Sequence, residues 1–270
     1  MAALRLRSGH GHALEEPICP IDLALAENVD VRFEPIKSLE GLYTPDGPLI
    51  VLGSLRPRGR RSYTCAHELG HHVFKHGLRI DELLEDNSKE GQTDDAEYVA
   101  DRFAAALLMP KLAVLHAFAT RRWEIGRSTP EHVYTIAGVL GVGYTTLIGY
   151  LEGTLRLLCS STARQLRNTS PKAIRARVLG NDDVDGLVIV DEFWQGRPVD
   201  AEVGDAIVVP TGVSLSSHVV ELIDDGLLRA SAPGIATLRR GDWSIEVRVA
   251  RSPFSGLAVY RHLEDTDDDT

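Results

Sequence analysis

One stretch constrains this chain more than any other: "TCAHELGHHVFKHG", residues 64–77. Ala66, Leu69, Gly70, Val73 and Phe74 recur at i, i+3, i+4, i+7 and i+8, the spacing of a helix that buries one stripe. Ser62 is the expected N-cap and Gly77 the expected C-terminal glycine. At 100° per residue, His71 lies roughly 40° round from His67, so the two imidazoles sit at the edge of the stripe and can converge on one ion. Glu68 lies roughly 60° from His71, within reach of a water held by that ion. On the same wheel His76 falls about 180° from His67 and His72 about 100° from His71, which predicts exposed or capping roles for both.

A His-Glu-x-x-His match arises by accident on the order of once per hundred chains of this length, so the motif needs a third ligand to carry weight. "TDDAEYVADRFAAALLMP", residues 93–110, offers one. It reads as a helix with Thr93 as N-cap, Asp94 and Asp95 in the first turn and Pro110 closing it. Glu97 and Asp101 are one turn apart on a face continued by Ala104 and Leu108. Carboxylates on an apolar helix are costly to bury without compensation, and a zinc ion compensates Glu97. Asp101 is then placed to accept a hydrogen bond from the outer nitrogen of a zinc-bound histidine. The competing reading is a solvated pair, or ion pairing with Arg102. Two imidazoles and one carboxylate suit zinc, one per chain, and also manganese or iron. In a zinc centre Glu68 takes the proton of the bound water as general base and passes it to the leaving amine. Tyr43, Tyr63 and Tyr98 are the candidates for the additional oxyanion donor.

"TCAHELGHHVFKH" followed by "EYVADRFAAALLMP" resembles the ImmA/IrrE family of bacterial zinc metallopeptidases. That family has an Ala-His-Glu-Leu-Gly-His helix, then Glu-x-x-Ala-Asn-x-Phe-Ala and a Leu-Leu-Met-Pro ending. The likeness covers about residues 17–125, more loosely to 158, and includes the preceding strands and the Gly-x-Tyr at Gly41 to Tyr43. It implies His67, His71 and Glu97 as zinc ligands and Glu68 as the base. The chain departs from the family at Asp101, where Asn is usual, and that spacing is closer to thermolysin-like peptidases. The resemblance also implies the substrate, a repressor with a helix-turn-helix domain.

The rest of the sequence organises around that core. "PIDLALAENV" reads as a short helix, and "DVRFEP", "EGLYT" and "PLIVLG" read as strands. Helices continue to residue 168, and past "NTSPK" runs such as "GLVIVDEFW", "DAIVVP" and "SIEVRVA" read as strands. The expected fold class is α+β: a zincin-like helical peptidase domain with a small antiparallel sheet over 1–125, a helix-turn-helix-like extension over 126–169, and a β-rich, sandwich-like domain over 170–270 built of antiparallel strands. Residues 170–270 offer no nucleophile or paired carboxylates in a recognisable frame, so their expected role is recognition, separable from metal binding.

The net charge of −10 argues against a chain that binds nucleic acid throughout, although Lys111 to Arg177 holds ten Lys or Arg against three Glu, a local +7. Direct DNA contact through 126–169 is not favoured, because "GVGYTTLIGY" supplies no arginine for a reading helix. The acidic tail "LEDTDDDT" reads as a solvated end. The N-terminal "MAALRLRSGHGHALEEP" has no apolar run of signal-peptide length, nowhere do about 18 uninterrupted apolar residues mark a membrane helix, and Cys19, Cys65 and Cys159 lack disulfide or zinc-finger spacing. The expected location is the cytoplasm, without membrane contact. Cys65, Cys159, Trp123, Trp194 and Trp243 are expected in the core. The expected function is a site-specific zinc endopeptidase acting on a DNA-binding repressor or related regulator; the alternatives are a non-catalytic zinc-containing binding protein or a peptidase of a toxin-antitoxin or phage-related module.

Overall fold

The computed structural model describes residues 1–82, 94–180, 186–194, 197–215 and 217–264. Thr93, most of the acidic loop before it and the end of the acidic tail lie outside the described residues. The fold is α+β. Helices α1 (Ala2–Gly9) and α2 (Pro20–Ala26) precede strands β1 (Asp30–Glu34), β2 (Leu39–Thr44) and β3 (Leu49–Gly53). Then come α3 (Arg58–Val73), β4 (Arg79–Glu82), α4 (Asp95–Leu108), α5 (Lys111–Thr120), α6 (Pro130–Leu140), α7 (Tyr144–Gly149), α8 (Ser160–Arg167) and α9 (Pro171–Leu179). The remainder is β5 (Leu187–Ile189), β6 (Val199–Glu202), β7 (Ala206–Val208), β8 (Ser214–Leu215), β9 (Val220–Asp224), β10 (Leu227–Ala230), β11 (Gly234–Arg240), β12 (Trp243–Ala250) and β13 (Gly256–Leu257).

The first sheet has the order β13-β1-β3-β2-β4. It is mixed rather than antiparallel, because β1 and β3 run parallel with Val31 opposite Ile50 and Phe33 opposite Leu52. The cause is topological: β2 and β3 form a hairpin whose second strand slots between β2 and β1. Residues 35–38 span the gap, two strand spacings or about 10 Å. Val31, Phe33, Tyr43, Ile50 and Leu52 share a buried cluster with Cys65, Ala66 and Leu69 of α3.

Helix α3 begins at Arg58, four residues before the expected cap at Ser62, and ends at Val73, before Gly77. Its first turn is held from a distance: the Arg58 guanidinium pairs with Asp205 and that of Arg61 with Glu202. At the other end the left-handed residue is Lys75, with φ 56°, not the glycine. Asp94, rather than Thr93, is the N-cap of α4, its Oδ1 accepting from the Ala96 amide at 2.9 Å. Gly70 lets α4 come close to α3, since a Cβ there would stand 3.2 Å from the Ala100 Cα. The run Asp95–Thr120 is long and apolar enough to cross a membrane by composition, but Pro110 separates its two helices and Phe103, Ala104, Leu107 and Leu108 are buried within the protein. Helix α6, capped by Thr129, and the α7 segment meet at 101° across left-handed Gly141.

Past residue 186 two further sheets, β5-β7-β10-β9 and β6-β12-β11-β8, share one apolar cluster around Val188, Ile207, Leu228, Val199, Leu238 and Val247. Both are mixed where antiparallel strands were expected: β5 is parallel to β7, and β6 to β12. The chain leaves the first of these sheets after β5, contributes β6 to the other and only then returns as β7, so β5 and β7 point the same way. Trp194 is buried, whereas Trp123 and Trp243 are only partly so, and Cys159 is exposed at the start of α8 rather than in the core. Its sulfur lies 3.1 Å from Ser161 Oγ, a polar setting that the flanking leucines do not announce.

The two halves are not separate in space. Val139 of α6 belongs to the cluster of the C-terminal sheets, while Phe254 and Ala258 belong to the core of the first sheet. Asp22 of α2 accepts from Arg248 at 2.7 Å and Arg261 at 2.8 Å. His262 packs partly buried against this junction, and desolvation, followed by the charge of Arg261, pushes its imidazole down to about 4. In the unfolded chain the same ring titrates near 6.5. Between these values the unfolded state binds the extra proton, so this group's contribution to stability is intact above pH 6.5 and is lost as the pH falls towards 4. The expected size is on the order of 2 kcal/mol. Urea titrations of wild type and His262→Gln at pH 7 and pH 4.5 should show the smaller acid loss in the variant; equal losses would rule this origin out.

Candidate metal centre

Helix α3 carries His67 and His71 one turn apart, and α4 brings Glu97 against them. His67 Nε2 lies 3.0 Å from His71 Nε2 and 3.1 Å from Glu97 Oε2, and His71 Nε2 lies 3.5 Å from the same oxygen. Three electron-pair donors thus face one another at a single point. His67 and His71 are buried, and the Glu97 carboxylate is partly open. Burial, with His67 and His76 adding to it, pushes the His71 imidazole down to about 3, which leaves it neutral at physiological pH with a lone pair to offer. Two imidazole nitrogens and one carboxylate oxygen are the donor set of a catalytic divalent-metal site with a position left over for water.

The surroundings orient these donors. His67 Nδ1 is 3.1 Å from Asp101 Oδ1, so with the proton on Nδ1 the other nitrogen turns a lone pair towards Glu97 and His71. Arg79 stands 3.9 Å from the other oxygen of Glu97, Oε1, and 2.6 Å from Asp94. It faces Oε1 while Oε2 faces the histidines. No spacing rule points to Arg79, because it reaches the site through the irregular turn after α3.

Glu68 is fully buried, beside His67 on the inner side of α3. Its carboxylate packs on the bare Cα of Gly41 in β2, where a Cβ would come within 2.4 Å of Oε1. Any larger residue at 41 would displace the carboxylate. Of the three tyrosines, Tyr43 is tied to His72 Nδ1 at 3.0 Å and Tyr98 lies exposed under Arg102. Tyr63 shares a cleft with His67 and Asp101 and donates to the Asp101 carbonyl at 3.2 Å. Burial holds its hydroxyl up at about 12, so it remains a donor.

The placement of His76 differs from the helical wheel. Because α3 stops at Val73, residue 76 does not continue round the helix. The chain turns back at Lys75 and sets His76 Nδ1 2.9 Å from His71 Nδ1. Cys65 is fully buried two residues before His67 and faces the core.

The cleft next to these residues holds about 1400 Å³. One wall is α3 from Arg58 to Thr64, another the α6–α7 turn, and the third comes from Leu187, Arg197 and the turn between β6 and β7.

Comparison with known proteins identifies residues 24–148 as similar to the IrrE N-terminal-like domain. The radiation response metalloprotease IrrE of Deinococcus radiodurans is 30% identical over 113 residues, which is 40% of this chain and 33% of that protein. IrrE of Deinococcus deserti is 33% identical over 110 residues, 39% of this chain and 37% of the relative. The matched region thus spans about a third of these relatives' length.

Proposed function

Because residues 24–148 make this chain a member of the ImmA/IrrE family, we propose that it is a zinc-dependent, site-specific endopeptidase. The observation that carries the reading is the meeting of His67 Nε2, His71 Nε2 and Glu97 Oε2 beside a buried Glu68. In this reading His67, His71 and Glu97 hold one zinc ion and Asp101 orients His67. A divalent ion bound there supplies Lewis acidity and brings the pKa of water to near 7. Glu68 takes the water's proton on its carboxylate and delivers it to the leaving amine. Its burial keeps bulk water away, so the proton it handles comes from inside the site. Tyr63 is the donor best placed to stabilise the developing oxyanion.

The wider assignments follow. Residues 1–125 form a zincin-like peptidase unit, 126–169 an extension, and 170–270 a sandwich-like unit that recognises the substrate. A cleft walled by both halves supports the last point, since a peptide entering it would touch Arg197 and the β6–β7 turn on its way to Tyr63 and His67. The substrate is a helix-turn-helix repressor or a related regulator, and the setting is the cytoplasm. DNA contact by α7 is disfavoured: Tyr144, Leu147 and Ile148 are buried and the segment has no Lys or Arg.

Metal analysis of the purified protein tests the centre. Zinc is expected at about one per chain, and His67→Ala and Glu97→Ala are each expected to lose it. Zinc retained by Glu97→Ala would move the third ligand elsewhere on α4. Co-expression with a regulator encoded nearby should yield one discrete cut that chelation abolishes. Degradation of general peptides while that regulator stays whole would overturn the regulator assignment and leave a broader peptidase.

A further inference from the structure

His76 lies outside the ligand triangle, and the spacing of the motif gives it no role. Two linked features of the backbone nevertheless bring it back to His71. Lys75 adopts φ 56°, a left-handed conformation that costs a residue with a Cβ on the order of 1 kcal/mol. That turn lets the His76 amide donate to the His71 carbonyl at 2.9 Å. The side chains then meet as well, with Nδ1 to Nδ1 at 2.9 Å and the rings 5.0 Å apart at 64°. Phe74 stacks on His76 at 5.8 Å and 20°, and its own edge contact with Phe103, at 5.9 Å and 83°, ties that stack to α4.

Only one proton fits between two Nδ1 atoms at hydrogen-bond distance. With the proton on His76 Nδ1, His71 accepts there and, being neutral, carries its own proton on Nε2, the atom that faces His67 and Glu97. With the proton on His71 Nδ1, that ring donates outward and Nε2 is left with its lone pair pointing inward. We propose that His76 is a positioning residue that accepts from His71 Nδ1 and thereby holds His71 in the metal-binding tautomer, as Asp101 does for His67. This rests on the reading of the triangle as a metal centre. His76 is itself neutral in this arrangement, with its proton on Nε2. The two ligand imidazoles thus have unlike outer partners, a carboxylate for one and an imidazole for the other.

Competition between the protein and a zinc-chelating dye gives the first readout. His76→Phe keeps the ring contact with Phe74 but removes the acceptor, and its zinc dissociation constant is expected to rise about 10- to 100-fold. His76→Asn, whose Oδ1 can stand near the place of Nδ1, should recover most of that loss; a merely structural role would not separate the two. The second readout needs no variant to fold: ¹H–¹⁵N correlation of the imidazoles in zinc-loaded wild type should place the His71 proton on Nδ1 and the His76 proton on Nε2. Wild-type affinity in His76→Phe, equal losses in both variants, or a His71 proton on Nε2 would each overturn the inference while leaving the metal centre standing. A wild-type protein that binds no zinc would overturn both.

Discussion

Glu68→Gln is expected to keep its zinc and lose turnover by between about a hundred- and ten-thousand-fold, the range of a general acid–base residue. The substitution is isosteric, so the carboxamide still fits the space that Gly41 leaves beside α3, and the ligands on either side are not asked to move. What disappears is the ability to take a proton. Because Glu68 is sealed from solvent, a buffer base has no route by which to replace it. Single-turnover cleavage of the regulator, with zinc content measured on the same sample, separates the two effects. A loss under tenfold at full zinc occupancy would remove Glu68 from the role of base, and a loss of zinc would make it part of the metal's support.

Ending the chain at residue 169 is expected to leave no folded, metal-binding protein at 25 °C. The sequence suggests an independent second domain from 170, but the contacts run against that independence. The cut removes β13, which pairs with β1 through Arg32–Leu257 and Phe33–Gly256, and it removes Phe254, whose ring meets the edge of Phe33 at 5.9 Å. It takes both arginines from Asp22 and both carboxylates from the first turn of α3, leaving Arg58 and Arg61 without them. Loss of a core phenylalanine costs about 3–5 kcal/mol, and the open edge of β1 and the unsupported first turn of α3 add to it. Together these approach the lower end of the roughly 5–15 kcal/mol that holds a typical domain. Thermal melting by circular dichroism reads the outcome. A truncated chain that melts within about 5 °C of wild type and still takes up zinc would make residue 170 a true domain boundary and these contacts dispensable.

The parts of this structure that were readable in advance are those where local periodicity is also the three-dimensional relation. His67 and His71 at i and i+4, and Glu97 and Asp101 at i and i+4, share faces because a helix puts them there. The strands of the first sheet were legible from alternation, Val31 with Phe33 and Ile50 with Leu52. Direction was not: whether β3 lies beside β2 alone or inserts between β2 and β1 is decided by what covers the sheet, not by either strand's own pattern. The start of α3 was misplaced because its first turn is fixed by Asp205 and Glu202, more than a hundred residues away. His76 was misplaced because a lysine gives no sign that it will turn left-handed, whereas Gly77 gives a false one. Cys159 reads as a core residue in the sequence, but its position at the start of α8 puts it at the surface.

The edge strand β13 has a consequence for how the protein comes into being. β1 is complete at residue 34, but its outer neighbour is a pair of residues, 256 and 257, near the far end of the chain. At about 5–20 residues per second a ribosome needs roughly 10–45 s to make what lies between them. For much of that interval, from residue 73 to residue 202, α3 and its histidines are already made, beside a sheet with an open edge and without the carboxylates that will hold the helix's first turn. A chain built in this order is assembled last at its supports, so a partly synthesised or interrupted one carries His67, His71 and Glu97 without the frame that aligns them.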